Sequence, residues 1–351
     1  MLITHEIFMQ RCLDLALKGM GKVAPNPMVG AVLVHDNRII GEGYHEQYGK
    51  AHAEVNCINS VAESDQHLIS ASTLYVSLEP CSHFGKTPPC TNLILANKIP
   101  KVVIGSKDPF KEVNGKGIAI LRENGVDVIC PVLETETNWT NRRFFHFHQL
   151  KRPYIILKWA KSANGWMGRK DAEITISNSF SQKIVHRWRM EESAILVGTQ
   201  TALTDNPRLN NRFFPGSSPV RMVIDRKLIL PKQNFLLSDG KPTIIFNEQI
   251  AKQDGPVQYI QLSKGNNWIH EILSYAFQQK IQSILVEGGA SLLQRFLDAD
   301  CWDEIRVIKS ANAIDLPSNI GVKAPDLRDV LPDSIESIGE DSICYFKRKN
   351  L

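Results

Sequence analysis

The sequence predicts an α/β protein of two domains. Three observations carry that reading. The 351 residues exceed what one hydrophobic core usually organises, at roughly 150 residues per domain. Short β-branched runs alternate with segments of helical periodicity along most of the chain, and the alternation lapses once, between residues 134 and 152. Hydrophobic residues at 43% and charged residues at 22% exclude disorder for the bulk of the chain. No run approaches the roughly 18 apolar residues that a membrane span requires. Glu6 and Asp14 stand where a secretory leader would be free of acids, so a cytoplasmic protein with no membrane partner is expected. A dispersed net charge of +4 predicts no nucleic-acid partner and suits a phosphorylated small molecule.

Residues 6–18 place Ile7, Leu13 and Leu17 at near-helical spacing before Gly19 and Gly21, which predicts a first helix. Residues 29–34 and 38–43 read as strands joined by His35-Asp36-Asn37, a hairpin turn of residues that tolerate positive φ. Val55, Ile58 and Ala62 make 52–63 an amphipathic helix, and 72–78 is a β-branched run suited to a central strand. Helix 90–98, strand 101–106, helix 117–123 and strand 126–130 follow. The series implies a largely parallel sheet covered by helices on both faces. The crowded stretch Arg142-Arg143-Phe144-Phe145-His146-Phe147-His148 reads as a helix packing its aromatics at the domain junction rather than as a stacking platform for nucleic acid. The boundary at 149–152 gives domains 1–148 and 152–351. A second series then runs through strands 154–159, 194–197, 220–224, 243–246 and 283–287 and helices 179–190, 268–279 and 291–297. The two halves share no internal repeat.

Seven cysteines, an odd number in a chain this long, argue against a disulfide framework and towards metal binding or catalysis. Cys12, Cys57, Cys130, Cys301 and Cys344 lack ligand-like spacing and read as apolar fillers. Cys81 and Cys90 differ. His52-Ala53-Glu54 opens a helix, Pro80-Cys81 follows a strand, and Cys90 opens another helix after Pro88-Pro89. One imidazole and two thiolates suit zinc, and a catalytic zinc site keeps its fourth position for water. A closed structural site, such as a zinc-stabilised nucleic-acid-binding protein would use, generally takes four protein ligands. Glu54 shares the open first turn with His52, where a carboxylate can pass a proton from water to a leaving amine.

These residues stand within Pro25-Asn26-Pro27-Met28-Val29-Gly30, Gly41-Glu42-Gly43-Tyr44-His45, His52-Ala53-Glu54, Leu78-Glu79-Pro80-Cys81-Ser82-His83, Gly85-Lys86-Thr87-Pro88-Pro89-Cys90 and Asp108-Pro109. The set resembles the deaminase half of the bifunctional riboflavin-biosynthesis deaminase/reductase family. The resemblance implies a cytidine-deaminase-like α/β/α sandwich in which His52, Cys81 and Cys90 hold zinc and Glu54 shuttles protons. It also implies that Asn26 lies near the pyrimidine and Lys86 meets the ribose phosphate.

In the second half, Glu287-Gly288-Gly289-Ala290 joins a strand to a helix, so two residues without Cβ let backbone N–H groups approach an anion. Upstream, the strand at 194–197 runs into a polar loop carrying Asp205-Asn206-Pro207-Arg208-Leu209 and Arg212, an arrangement suited to phosphate recognition. Together with Lys158-Trp159-Ala160-Lys161-Ser162, Arg189, Val197-Gly198-Thr199 and Val223-Ile224-Asp225, these segments resemble the reductase half of the same family, whose fold is similar to dihydrofolate reductase. By that resemblance Ala160, Thr201, Asp205 and the turn Gly289, Ala290, Ser291, Leu292, Leu293 contact NADPH, and Arg189, Leu209, Arg212 and Glu287 hold the substrate. Arg226, directly after a strand end, is expected to meet the 2′-phosphate that separates NADPH from NADH. The implied chemistry is zinc-dependent deamination of a phosphorylated ribosylaminopyrimidine, then NADPH-dependent reduction of its sugar, in a homo-oligomer.

Overall fold

The computed structural model describes residues 4–82, 88–110, 113–265, 267–328 and 330–348. Two compact units divide the chain, Met1–Lys151 and Arg152–Leu351. Among the described residues no helix is long and apolar enough to cross a membrane.

The first unit runs α1 (His5–Leu17), β1 (Gly30–His35), β2 (Arg38–Tyr44), α2 (Ala53–Asn59), β3 (Thr73–Leu78), α3 (Cys90–Ala96), β4 (Lys101–Ser106), α4 (Lys116–Glu123), β5 (Asp127–Ile129), α5 (Glu134–Thr140) and α6 (Arg142–Leu150). Its sheet has the order β2-β1-β3-β4-β5. The expectation of a largely parallel sheet needs correction. β1 pairs antiparallel with both β2 and β3, and only the β3–β4 and β4–β5 pairings are parallel. The tight turn at Asp36-Asn37, both at positive φ, reverses the chain into β2, and a 3-10 segment at Glu63–Ala71 returns it into β3 against β1.

Alternation along the strands builds two cores. Ala31, Leu33, Leu74, Val76, Val102 and Ile104 face α2, α3 and α4, while Val32, Val34, Tyr75 and Val103 face Phe8, Met9, Cys12 and Leu15 of α1. The helix predicted over 52–63 stops at Asn59, because the Ser60 hydroxyl donates to Cys57 O at 2.7 Å and accepts Glu42 N–H at 2.8 Å, which ties the chain to β2. α1 lies directly on the sheet, since a Cβ at Gly30 would stand 2.0 Å from Cys12 O. Within the first unit, two aromatics of α6 join a core cluster. Phe144 and Phe145 pack on Leu78, and His148 rests against Phe144 and Phe110.

The second unit contains β6 (Tyr154–Lys161), β7 (Trp166–Arg169), α7 (Ser179–Glu191), β8 (Ala194–Gly198), α8 (Thr199–Asp205), β9 (Val220–Ile224), α9 (Phe235–Ser238), β10 (Thr243–Asn247), β11 (Lys252–Asp254), β12 (Val257–Gln261), α10 (Trp268–Gln278), β13 (Ser283–Val286), α11 (Ala290–Asp298), β14 (Glu304–Lys309), β15 (Gly321–Lys323), β16 (Ser334–Ile338) and β17 (Asp341–Lys347). Its ten-stranded sheet has the order β11-β12-β10-β9-β8-β13-β6-β14-β17-β16, and β7 pairs separately with β15. Every pairing from β12 to β14 is parallel, and both edges are antiparallel. This parallel centre puts the ends of β8, β9 and β13 side by side, where ligand crevices form in such sheets.

Strands β14 to β17 lie beyond the last predicted element. β14 escapes an apolar pattern because it buries Glu304 and Arg306, which bond each other at 2.7 Å, with Glu191 and Glu192 within 3.7 Å of the guanidinium. The stretch expected to be a polar loop after β8 instead begins with a helix, α8, whose Ala202 is its buried residue. In the turn after β6, Asn164 donates to Ile314 O at 2.9 Å while its Oδ1 accepts Ile314 N–H at 3.2 Å, a reciprocal pair that a carboxylate cannot make.

Candidate functional site

Three short segments build the site of the first unit. His52 is the extended N-cap of α2, Cys81 lies three residues past the end of β3, and Cys90 is the first residue of α3. His52 Nδ1 stands 3.6 Å from Cys81 Sγ and 3.3 Å from Cys90 Sγ, and the three donor atoms all lie within 4.8 Å of one another. Tetrahedral zinc with ordinary Zn–N and Zn–S bonds needs donor separations of about 3.5–3.8 Å, so these three residues fit that ion. The Cys90 side chain hydrogen-bonds Cys81 and, against the opposing effect of burial, pulls its thiol down to about 4, while Cys90 itself is pushed up. Cys90 N–H also donates to Cys81 Sγ at 3.3 Å.

Glu54 sits in the first turn of α2, 3% exposed, and burial raises its carboxyl. Asn26 reaches the same neighbourhood through a relay. His45 Nδ1 lies 3.0 Å from Ala51 O, so it carries the proton, and Nε2 is left to accept from Asn26 Nδ2 at 3.2 Å. Burial lowers His45 and keeps it neutral. Its ring meets that of His52 edge-on at 5.5 Å. Lys86 lies outside the described residues.

In the second unit, Arg189 on α7 grips Glu287 at the end of β13 with two hydrogen bonds of 2.7 and 2.8 Å. Lys158 Nζ on β6 lies 3.8 Å from the same carboxylate, and all three side chains are less than 15% exposed. Burial pushes the Glu287 carboxyl up, but Arg189 and Lys158 outweigh it and hold the group down to about 2. Arg212 joins through His186, whose Nδ1 accepts its backbone N–H at 3.3 Å, and through Asn210, which also accepts from Arg189. Burial, then the charges of Arg189 and Arg212, hold His186 down to about 4. Leu209, at φ +51°, turns its side chain into the core below.

A cavity of about 370 Å³ opens at the ends of β8 and β9 beside the start of α11. Thr201, Arg226, Gly289, Ser291 and Leu292 line it, five of the residues expected to meet a dinucleotide. Gly288 and Gly289 let the chain pass close to Thr201, since a Cβ at Gly288 would stand 3.0 Å from that side chain, and Gly289 takes φ +70°. The other expected cofactor residues differ. Leu293 is fully buried in the core, Ala160 packs against the core on the other face, Ala290 opens α11, and Asp205 ends α8, where burial pushes its carboxyl up to about 6. Arg226 is already partnered, with Nε donating to Glu248 Oε1 at 2.8 Å and Nη2 contacting the same oxygen.

Several groups here received no role from the sequence. Lys158 interrupts the apolar run of β6, and His186 sits three residues before Arg189 on one helical face, so both had a signal of position. Lys227 and Arg295, which bring two more cations to the cavity, had none beyond charge.

Residues 2–106 match the family model for the cytidine and deoxycytidylate deaminase zinc-binding region, and residues 153–311 match that for the RibD C-terminal domain. The chain is 36% identical to the riboflavin biosynthesis protein RibD of Aquifex aeolicus, covering 97% of this chain and 98% of that protein. It is 32% identical to RibD of Escherichia coli over 86% of each chain. Among solved structures it resembles a diaminohydroxyphosphoribosylaminopyrimidine deaminase/5-amino-6-(5-phosphoribosylamino)uracil reductase from Thermotoga maritima. That match has a TM-score of 0.87 and 35% identity and covers 97% of this chain and 98% of the other. It also resembles RibD of Acinetobacter baumannii, with a TM-score of 0.86 and 27% identity over the same shares.

Proposed function

Because the chain belongs to the RibD family of riboflavin-biosynthesis enzymes, we propose that its two units perform consecutive steps on one phosphorylated pyrimidine. The first is hydrolytic deamination of 2,5-diamino-6-ribosylamino-4(3H)-pyrimidinone 5′-phosphate, in which water replaces a ring amino group and ammonia leaves. The second is reduction of the ring-opened ribosyl group to ribityl by hydride addition at its C1. The observation that carries this reading is the His52, Cys81 and Cys90 donor set beside buried Glu54.

In the first unit His52, Cys81 and Cys90 hold the metal. Bound zinc supplies the Lewis acidity that makes water nucleophilic near neutral pH. Glu54 takes the water's proton at its carboxylate and returns it to the departing amine nitrogen; bulk water is kept from that carboxylate by its burial. Asn26, held by His45, orients the pyrimidine, and Lys86 takes the phosphate. In the second unit NADPH supplies the hydride. Thr201, Arg226, Gly289, Ser291 and Leu292, which line the cavity, bind it, whereas Ala160, Asp205, Ala290 and Leu293 stand outside that lining. Arg189, Arg212, Leu209 and Glu287 hold the sugar phosphate, and the buried ammonium of Lys158 lies next to the carboxylate of Glu287. The enzyme is cytoplasmic and homo-oligomeric in this reading. Purified chain given the diaminopyrimidinone phosphate should release ammonia and then consume NADPH. Ammonia release without NADPH consumption would reduce the second unit to a non-catalytic module, and failure of both would overturn the reading.

A further inference from the structure

Glu79 takes no part in the chemistry above, yet its carboxylate is one of the most densely bonded groups of the first unit. It directly follows β3, two residues before Cys81, and is 4% exposed. Oε2 accepts the backbone N–H groups of Asp108 at 3.2 Å and Gly115 at 2.8 Å, and Oε1 accepts those of Gly117 at 2.9 Å and Ile118 at 3.3 Å. Gly115 is the N-cap of α4 and offers no side-chain cap of its own. Glu79 therefore caps α4 from a different element, placing its carboxylate where the first N–H groups of a helix lack partners. The approach is close, since a Cβ on Gly117 would stand 2.2 Å from Pro80 O. On its other side the Cys81 backbone is held by α3, where Thr91 N–H donates to Cys81 O at 3.2 Å.

We propose that Glu79 is a positioning residue for the metal site, fixing the Pro80-Cys81 backbone against the start of α4 so that Cys81 Sγ keeps its place in the donor set beside His52 Nδ1 and Cys90 Sγ. The proposal rests on reading His52, Cys81 and Cys90 as the zinc ligands. Glutamine at this position keeps the shape but turns an NH₂ towards two N–H donors, which opens half of the clamp. Groups that orient metal ligands from outside typically alter metal affinity by 10–100-fold.

The test is zinc affinity by chelator competition on the full chain, with melting of the metal-stripped protein measured alongside. Glu79→Gln is expected to weaken zinc by about tenfold and to lower kcat for deamination more than it alters KM, with reduction by the second unit unchanged. Gly117→Ala, whose Cβ would press on Pro80 O and crowd Glu79 Oε1 while leaving the carboxylate in place, decides the matter if Glu79→Gln does not fold, and it should weaken zinc in the same direction. A lower melting temperature with unchanged zinc affinity would make Glu79 merely structural and overturn the proposal. Cys81→Ser, run in parallel, separates the two failures. If it keeps zinc, the ligand reading itself is wrong; if it loses zinc while the deciding variant holds it, only the positioning role falls.

Discussion

Replacing Arg226 by serine should weaken NADPH and spare NADH. Arg226 lines the cavity, and its Nη1 has no hydrogen-bond partner among the described residues, so one nitrogen stays available for a 2′-phosphate there. A hydrogen bond to a charged group contributes about 1.5–3 kcal/mol. Two features of the structure reduce that figure. Nε and Nη2 already serve Glu248, and the side chain is 36% exposed, so solvent screens what remains. About 1 kcal/mol is left, or roughly a fivefold rise in the NADPH dissociation constant. The partner makes a second, opposite perturbation available. Glu248→Gln removes the carboxylate that competes for Arg226 and should tighten NADPH by a similar factor. Both constants are read by nicotinamide fluorescence on the full chain, with NADH as the control that lacks the phosphate. Equal losses for the two cofactors in Arg226→Ser would refute the reasoning and leave Arg226 as a support for the strand end or the shared pyrophosphate.

Other outcomes follow from the same geometry. Glu54→Gln should retain zinc and reduction while losing deamination by about 10²–10⁴-fold, because the amide matches the shape but carries no proton between water and amine; near-normal ammonia release would exclude Glu54. Cys81→Ser and Cys90→Ser should each lower bound zinc, measured by metal analysis, since a hydroxyl replaces thiolate poorly at this ion. His186 is held down to about 4 from an ordinary 6.5, and Arg189, Arg212 and Glu287 are the charged groups that face it. A lowered histidine stabilises the fold fully above its unfolded value and loses that contribution as pH falls towards the folded one. The melting temperature of the wild-type chain relative to His186→Gln should accordingly decline as pH is lowered from about 7 to about 4.5, and a constant difference would contradict the assignment.

What the sequence disclosed and what it hid divide along a physical line. His52, Glu54, Cys81 and Cys90 were legible because each lies at the edge of an element whose ends are marked locally, by Pro80, by Pro88-Pro89 or by the start of an amphipathic run. The parallel strands β6, β8, β9, β10 and β13 were legible for a similar reason, as short β-branched runs, whereas β12 went unpredicted. β14 was not legible, because Glu304 and Arg306 interrupt its apolar pattern; they pair with each other, and the guanidinium also meets Glu191 and Glu192, more than a hundred positions upstream. Glu248 had no signal either. Its importance arises only when β9 and β10 align their ends and bring it to Arg226, 22 positions away. Pairings of this kind leave no periodic trace.

The sheet order of the second unit also bears on how the polypeptide is made. β6 forms early in the sequence of that unit, yet both of its neighbours, β13 and β14, are encoded over a hundred residues later, and Arg152 and the Ile155 N–H find their carboxylate only at Asp303. Among the described residues, the two core clusters on the faces of the first unit's sheet are made of residues before Lys151. Chains emerge from the ribosome N-terminus first, and domains generally fold as units. The deaminase half is thus free to fold and collect its metal while the reductase strands are still being translated. The centre of the second sheet must remain open, with the apolar edges of β6 unpaired, until the ribosome has passed Lys309. A stall or truncation anywhere between β6 and β14 would leave one finished enzyme tethered to an exposed, aggregation-prone strand.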